Sequence, residues 1–230
     1  MTSYVTRFSV RQRFEHWTVM ILFLLLCATG LPQKYFDQAW AAWLLAVFGG
    51  VDAARWIHRA CGFAFGALVL VHTTAIVFGA ATGRTPLSMV PTRQDFADAV
   101  ATLRYYAGLS DAQARFDRYD YRQKFEYWGM VMGGILMVVT GLVLYFPTEA
   151  TQYLPGVIIP VSLVAHSNEG LMAFLIIIIW HIYNAHLSPD VFPFDTTIFT
   201  GRISVERMKH EHPLEYERTR GKEPSETRVA

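Results

Sequence analysis

Four apolar runs, each close to the length a helix needs to cross a bilayer, constrain this chain more than any other feature. They extend from about Trp17 to Tyr35, Ile57 to Ala81, Tyr127 to Phe146 and Leu163 to Ala185, against the roughly 20 residues that span the hydrocarbon. Lipid offers the backbone no water to bond, so such runs must close their hydrogen bonds within themselves, as helices. The chain is 53% hydrophobic and 17% charged, whereas a soluble domain carries about a quarter charged residues. A shorter apolar stretch, Trp40 to Val51, is too brief to span. Its two tryptophans suit the membrane interface. The spacing predicts helices over about residues 14–36, 56–81, 124–146 and 160–187, in a membrane domain covering 1–200, with a cytoplasmic C-terminal tail over 201–230.

Basic residues set the orientation. Arg7, Arg11 and Arg13 precede the first run, and seven Lys or Arg from Arg84 to Lys124 lie between the second and third. Another seven, from Arg202 to Arg228, follow the fourth, while the loop from Pro147 to Pro160 has none. The positive-inside rule then puts both termini and the central segment in the cytoplasm of a bacterial inner membrane. Within that segment Phe96, Val100, Leu103 and Ala107 fall at helical spacing, predicting a short amphipathic helix on the cytoplasmic surface. The tail beyond Gly201 is of mixed charge with Pro213 and Pro224, and reads as extended or partly helical, docked on a partner, with disorder towards Ala230.

The chain contains itself twice. Arg11-Gln12-Arg13-Phe14-Glu15-His16-Trp17 matches Arg122-Gln123-Lys124-Phe125-Glu126-Tyr127-Trp128, and each is followed by Thr-Gly-Leu, at Thr29-Gly30-Leu31 and Thr140-Gly141-Leu142. In the next run of each half, His58, Gly62 and His72 line up with His166, Gly170 and His181. Both hairpins begin in the cytoplasm, so this is a parallel duplication. The fold class follows: an all-α integral membrane protein, a four-transmembrane-helix bundle built from a duplicated helical hairpin, with an interfacial cytoplasmic helix and a tail.

Histidine at bilayer depth needs a partner or a task, and six of the eight lie in or beside the runs: His16, His58, His72, His166, His181 and His186. His58 and His72 are 14 apart and His166 and His181 are 15 apart, offsets within about 40° and 60° of whole turns and roughly 21 to 23 Å along the axis. Both helices run inward, so His58 meets His166 and His72 meets His181. That arrangement suits two metal centres stacked across the membrane, and imidazole on both sides of an iron is a heme arrangement. Gly62 and Gly170 would leave room for a porphyrin, or simply pack helices closely. His186 lies five residues beyond His181, about 140° round an α-helix. A third heme would need His16 together with His186.

The run Arg13-Phe14-Glu15-His16-Trp17, the outer His58, and His166 and His181 followed by Ile182-Tyr183 resemble the diheme cytochrome b subunits of respiratory formate dehydrogenases, nickel–iron hydrogenases and thiosulfate reductases. The resemblance covers nearly the whole chain. It implies a quinone-reactive membrane anchor with two b hemes, the outer one held by His58 and His166. It implies His181 and His16 for the inner heme, whereas the internal repeat points to His181 and His72, as in the cytochrome b of bc complexes. Both alternatives stand at this level. Arg59 and Arg13 are suited to heme propionates.

Heme in a bundle carries electrons without defining a reaction. The chain has no Gly-rich dinucleotide fingerprint, no cysteine cluster and no CxxCH; Cys27 and Cys61 sit in apolar runs as packing residues. The near-zero net charge of +1 argues against nucleic acid. We expect electron exchange between a quinone such as menaquinone and a periplasmic redox subunit, whether a dehydrogenase, a hydrogenase or a multiheme cytochrome c. Glu15, Glu126, Tyr127 and Asn184 are polar candidates at the inner side, and Glu169 is the conspicuous acid near the outer site. The rival class is a non-heme transporter or histidine-rich metal-binding membrane protein, including di-iron enzymes, which need clustered histidine boxes that this sequence lacks.

Overall fold

The structure, a computed structural model, describes residues 3–189 and 191–220; the expectation of disorder towards Ala230 lies outside them. In chain order the elements are β1 (Tyr4–Thr6), α1 (Val10–Lys34), α2 (Ala39–Val47), α3 (Val51–Ala81), α4 (Arg93–Tyr106), α5 (Tyr121–Tyr145), α6 (Pro147–Tyr153) and α7 (Ile158–Leu175). There follow α8 (Thr197–Thr200), β2 (Arg202–Ser204), α9 (Val205–Glu211) and α10 (Pro213–Arg220). Among the described residues four segments are long and apolar enough to cross a membrane: α1, α3, α5 and Ile158–Leu187. They begin and end within a few residues of the sequence expectation, and the protein is an all-α membrane bundle.

The described chain forms two compact units, one of residues 10–82 and 129–195, the other of residues 3–9, 83–128 and 196–220. In the first, α1 packs against α2, α3 and α7. The short α2 buries Ala41 and Leu45 and turns Trp40 and Trp43 outward, as an interfacial helix should. Gly49 and Gly50, at φ of +89° and +100°, turn the chain from α2 into α3 through backbone space that side chains disfavour.

The fourth span is not α-helical throughout. It becomes π-helical over Ile176–His181 and again over Tyr183–Leu187. The change starts on four consecutive isoleucines, whose branched Cβ atoms crowd the preceding turn of an α-helix. With hydrogen bonds running from i to i+5, His186 falls roughly one turn beyond His181 and broadly on its face. This corrects the 140° separation expected for an α-helix.

The second unit rests on the N-terminus. β1 pairs antiparallel with β2 in the register Tyr4↔Ser204, Val5↔Ile203 and Thr6↔Arg202, and Ile203 is 2% exposed. The tail is thus helical and docks on its own chain. Arg7 is buried, donating to Glu215 and to the carbonyl of Arg118, while Arg118 donates to Glu215 at 2.7 Å and to the carbonyl of Arg7 at 2.7 Å. His212 Nδ1 donates to the carbonyl of Asp117 at 2.8 Å, so its Nε2 accepts from Arg7 at 3.0 Å. α4 appears where the spacing put it, with Phe96, Val100, Leu103 and Tyr106 exposed. Burial alone would raise the Asp95 carboxyl, but bonds from Lys124 and Thr92 hold it below the usual range.

Burial, aided by the Arg7 guanidinium, pushes His212 down to about 4. An unfolded histidine titrates near 6.5, so the unfolded chain binds the extra proton between about 6.5 and 4. Stability contributed by neutral His212 is therefore present above about pH 6.5 and lost as pH falls towards 4, by about 3 kcal/mol. Thermal melting of the detergent-solubilised protein should show this acid slope, and His212→Gln should flatten it.

Candidate metal centres

The duplicated Thr-Gly-Leu motif has a local task. Thr29 and Thr140 sit on α1 and α5, where each hydroxyl donates to the carbonyl four residues back, Leu25 at 2.7 Å and Leu136 at 2.6 Å. The oxygen is then left to accept, and it faces an imidazole: Thr29 Oγ1 is 3.1 Å from His58 Nδ1 and Thr140 Oγ1 is 2.9 Å from His166 Nδ1. With the threonine proton already committed, Nδ1 must carry the hydrogen. The lone pair therefore lies on Nε2, which is the tautomer a metal requires, and fixing it is the ordinary duty of a ligand's outer partner. The glycines admit the rings. A Cβ at Gly30 would lie 2.9 Å from His58 Cε1, and one at Gly141 would lie 3.3 Å from His166 Cε1.

The two rings so held face one another. His58 and His166 have centres 6.2 Å apart with planes at 73°. Two metal–imidazole bonds of about 2 Å, with roughly 1 Å from each ring centre to its nitrogen, add to about 6 Å. His16 of α1 and His181 repeat the spacing at 6.4 Å, with planes at 36°. Each pair of rings stands at the separation that one axially ligated iron would need. Among the described residues no three His, Cys, Asp or Glu side chains gather as a metal cluster. Four of the histidines stand in two facing pairs, an arrangement that fits heme.

The remaining expected residues are placed as follows. His72 Nδ1 lies 2.9 Å from Glu15 Oε2, and the other oxygen of Glu15 accepts from Arg11 at 2.7 Å. His186 is anchored by its Nδ1 to the carbonyl of Asp195 at 3.1 Å and stacks on Phe194 at 4.2 Å, with planes 4° apart. Arg59 lies over the ring of Tyr145, 5.3 Å from its centre, and Arg13 is half-buried near the start of α1. Gly62 leaves open space where a Cβ would be, and a Cβ at Gly170 would meet Met137 at an ordinary 3.5 Å. Lys34 at the end of α1 joins it to α7, donating to Asn168 at 2.7 Å and Ser167 at 3.1 Å. Sequence reasoning treated Thr29, Gly30, Thr140 and Gly141 only as markers of the repeat. The signal for their role was present, since each half sets the same triplet opposite its outer histidine.

The model of the family described as prokaryotic cytochrome b561 matches residues 7–190. The cytochrome b556(Fdn) subunit of the nitrate-inducible formate dehydrogenase of Escherichia coli (strain K12) is 25% identical over 226 residues, 96% of each chain. The formate dehydrogenase cytochrome b556 subunit of Haemophilus influenzae is 25% identical over 219 residues, 92% of this chain and 82% of the relative. A second Escherichia coli protein, the cytochrome b556(fdo) subunit, is 24% identical over 221 residues, 94% and 93% of the two chains.

Proposed function

Starting from the prokaryotic cytochrome b561 family, to which this chain belongs, we propose that it is the diheme, membrane-anchoring subunit of a respiratory oxidoreductase. It passes electrons between a quinone pool and a partner redox subunit. The observation that carries this reading is the two pairs of facing imidazoles, at 6.2 and 6.4 Å. His58 and His166 hold the outer heme b, and His16 and His181 hold the inner one. The heme irons supply a one-electron couple; everything else is done by the chain. Thr29 and Thr140 keep the outer imidazoles in the ligating tautomer, and the apolar spans keep water from the centres. At the inner side the hydrogen-bonded Glu15 and His72 offer the polar groups that a quinone head requires.

The basic residues around residues 84–124 and 202–228 support a cytoplasmic location for both termini in a bacterial inner membrane. The partner then docks at the periplasmic face. The relatives are named as subunits of formate dehydrogenases, so a formate-oxidising subunit is the first partner to test. A transporter reading is not favoured by a family of cytochromes. A pyridine hemochrome assay on the purified chain should give two b hemes per polypeptide and a reduced b-type spectrum. Less than one heme per chain would defeat the proposal.

A further inference from the structure

We propose that Glu169 is a redox-linked proton-binding group set between the two metal centres, an inference that rests on the diheme reading above. Glu169 is half-buried on α7, three residues inward of His166. Its carboxylate fills a notch in α5. A Cβ at Gly133 would lie only 2.5 Å from Glu169 Oε1. Gly133 precedes Thr140, the partner of His166, by seven residues, so the carboxylate lies about 10 Å inward along α5. That depth falls between the outer imidazole pair and the inner one. Among the described residues no hydrogen bond or ion pair reaches the Glu169 carboxylate. An ionisable side chain at membrane depth is costly and marks function by default.

The duplication supplies a comparison inside the molecule. When Thr140 is laid on Thr29, Gly133 falls on Leu22; when His166 is laid on His58, Glu169 falls on Cys61. The matching positions of the first hairpin hold a large apolar residue and a small one. The second removes the side chain from one helix and places a longer acid on the other. The exchange is reciprocal in size, so the notch is fitted to the carboxylate. Leucine and cysteine occupy these positions in the first half, and packing alone gives no reason for an acid.

Its chemistry follows from charge. One electron arriving at a nearby ferric centre adds one negative charge, and in apolar surroundings that charge acts strongly on a carboxylate. The carboxylate then takes up one proton from water as iron(III) becomes iron(II), and releases it on reoxidation. The electron comes from the partner redox subunit in turnover and from a chemical reductant in a titration. Ionisable groups on these helices include His166 and His181 on the fourth span, His58, Cys61 and His72 on α3, Glu126 and Tyr127 on α5, and Glu15, His16, Cys27 and Lys34 on α1, Lys34 being committed to Ser167 and Asn168. Arg59 lies over Tyr145 of α5.

The test is a potentiometric titration of the purified full-length cytochrome across neutral pH. In the unaltered protein the midpoint potential of at least one heme should fall with pH, towards the one-proton limit of about 59 mV per pH unit for a one-electron couple. E169Q should keep both hemes and lose that slope. Reduction should also bring up a protonated-carboxyl band in the infrared difference spectrum that E169Q lacks. G133A should displace the carboxylate and move the pH range of the slope without loss of heme. A pH-independent potential in the unaltered protein, or an unchanged slope in E169Q, would overturn the proposal. Fewer than two hemes in the unaltered protein would instead defeat the diheme reading beneath it.

Discussion

His16→Ala should leave the protein with one heme b and no low-spin signal from the inner site, whereas His72→Ala should leave two. The two residues cannot be separated by depth, since both lie near the inner end of their spans. They differ in what they face. His16 presents its ring to His181 at 6.4 Å, while His72 is held by Glu15 at 2.9 Å. An iron with one of its two strong axial ligands missing is high-spin or lost, so the effect is the whole of one heme. Hemochrome quantification with low-temperature electron paramagnetic resonance would decide it. Loss of the inner heme in His72→Ala and its survival in His16→Ala would reverse the assignment.

At the outer site, His166→Ala should remove one heme and spare the other, and the threonine behind it should show a graded effect. Thr140→Val keeps the side-chain shape but deletes the acceptor that fixes His166 Nδ1–H at 2.9 Å. Loss of such an outer partner costs metal sites about 10- to 100-fold in affinity or activity. Thr140→Val, and likewise Thr29→Val at His58, should therefore weaken outer heme retention by about that factor while the inner heme is untouched. Heme loss to excess apomyoglobin would measure it. Equal effects on both hemes would show that the threonines serve general packing instead.

The two halves of the repeat are alike around one pair of rings and differ around the other. At the outer site the triplets Thr29-Gly30-Leu31 and Thr140-Gly141-Leu142 treat His58 and His166 alike. At the inner site the repeat lays His72 on His181, but the ring opposite His181 comes from α1. Tyr127 in the second half matches His16 in the first, and that break in the pattern was itself the signal. The pairing depends on how α1 lies against α3 and α7, which the order of residues along one helix does not state.

The four spans with which the sequence reading began were determined by the sequence alone, because hydrophobic length and the need to close backbone hydrogen bonds in lipid leave no other solution. The duplication and the facing outer histidines were equally legible, being matters of spacing along a regular helix. Tertiary structure decided what depends on contacts between distant segments. It set the ring of His16 opposite His181 and loosened the fourth span into a π-helix. It placed the acid of Glu169 against the missing side chain of Gly133, and drew Tyr4–Thr6 into a ladder with Arg202–Ser204. None of these follows from periodicity, because each needs a partner that sequence distance hides.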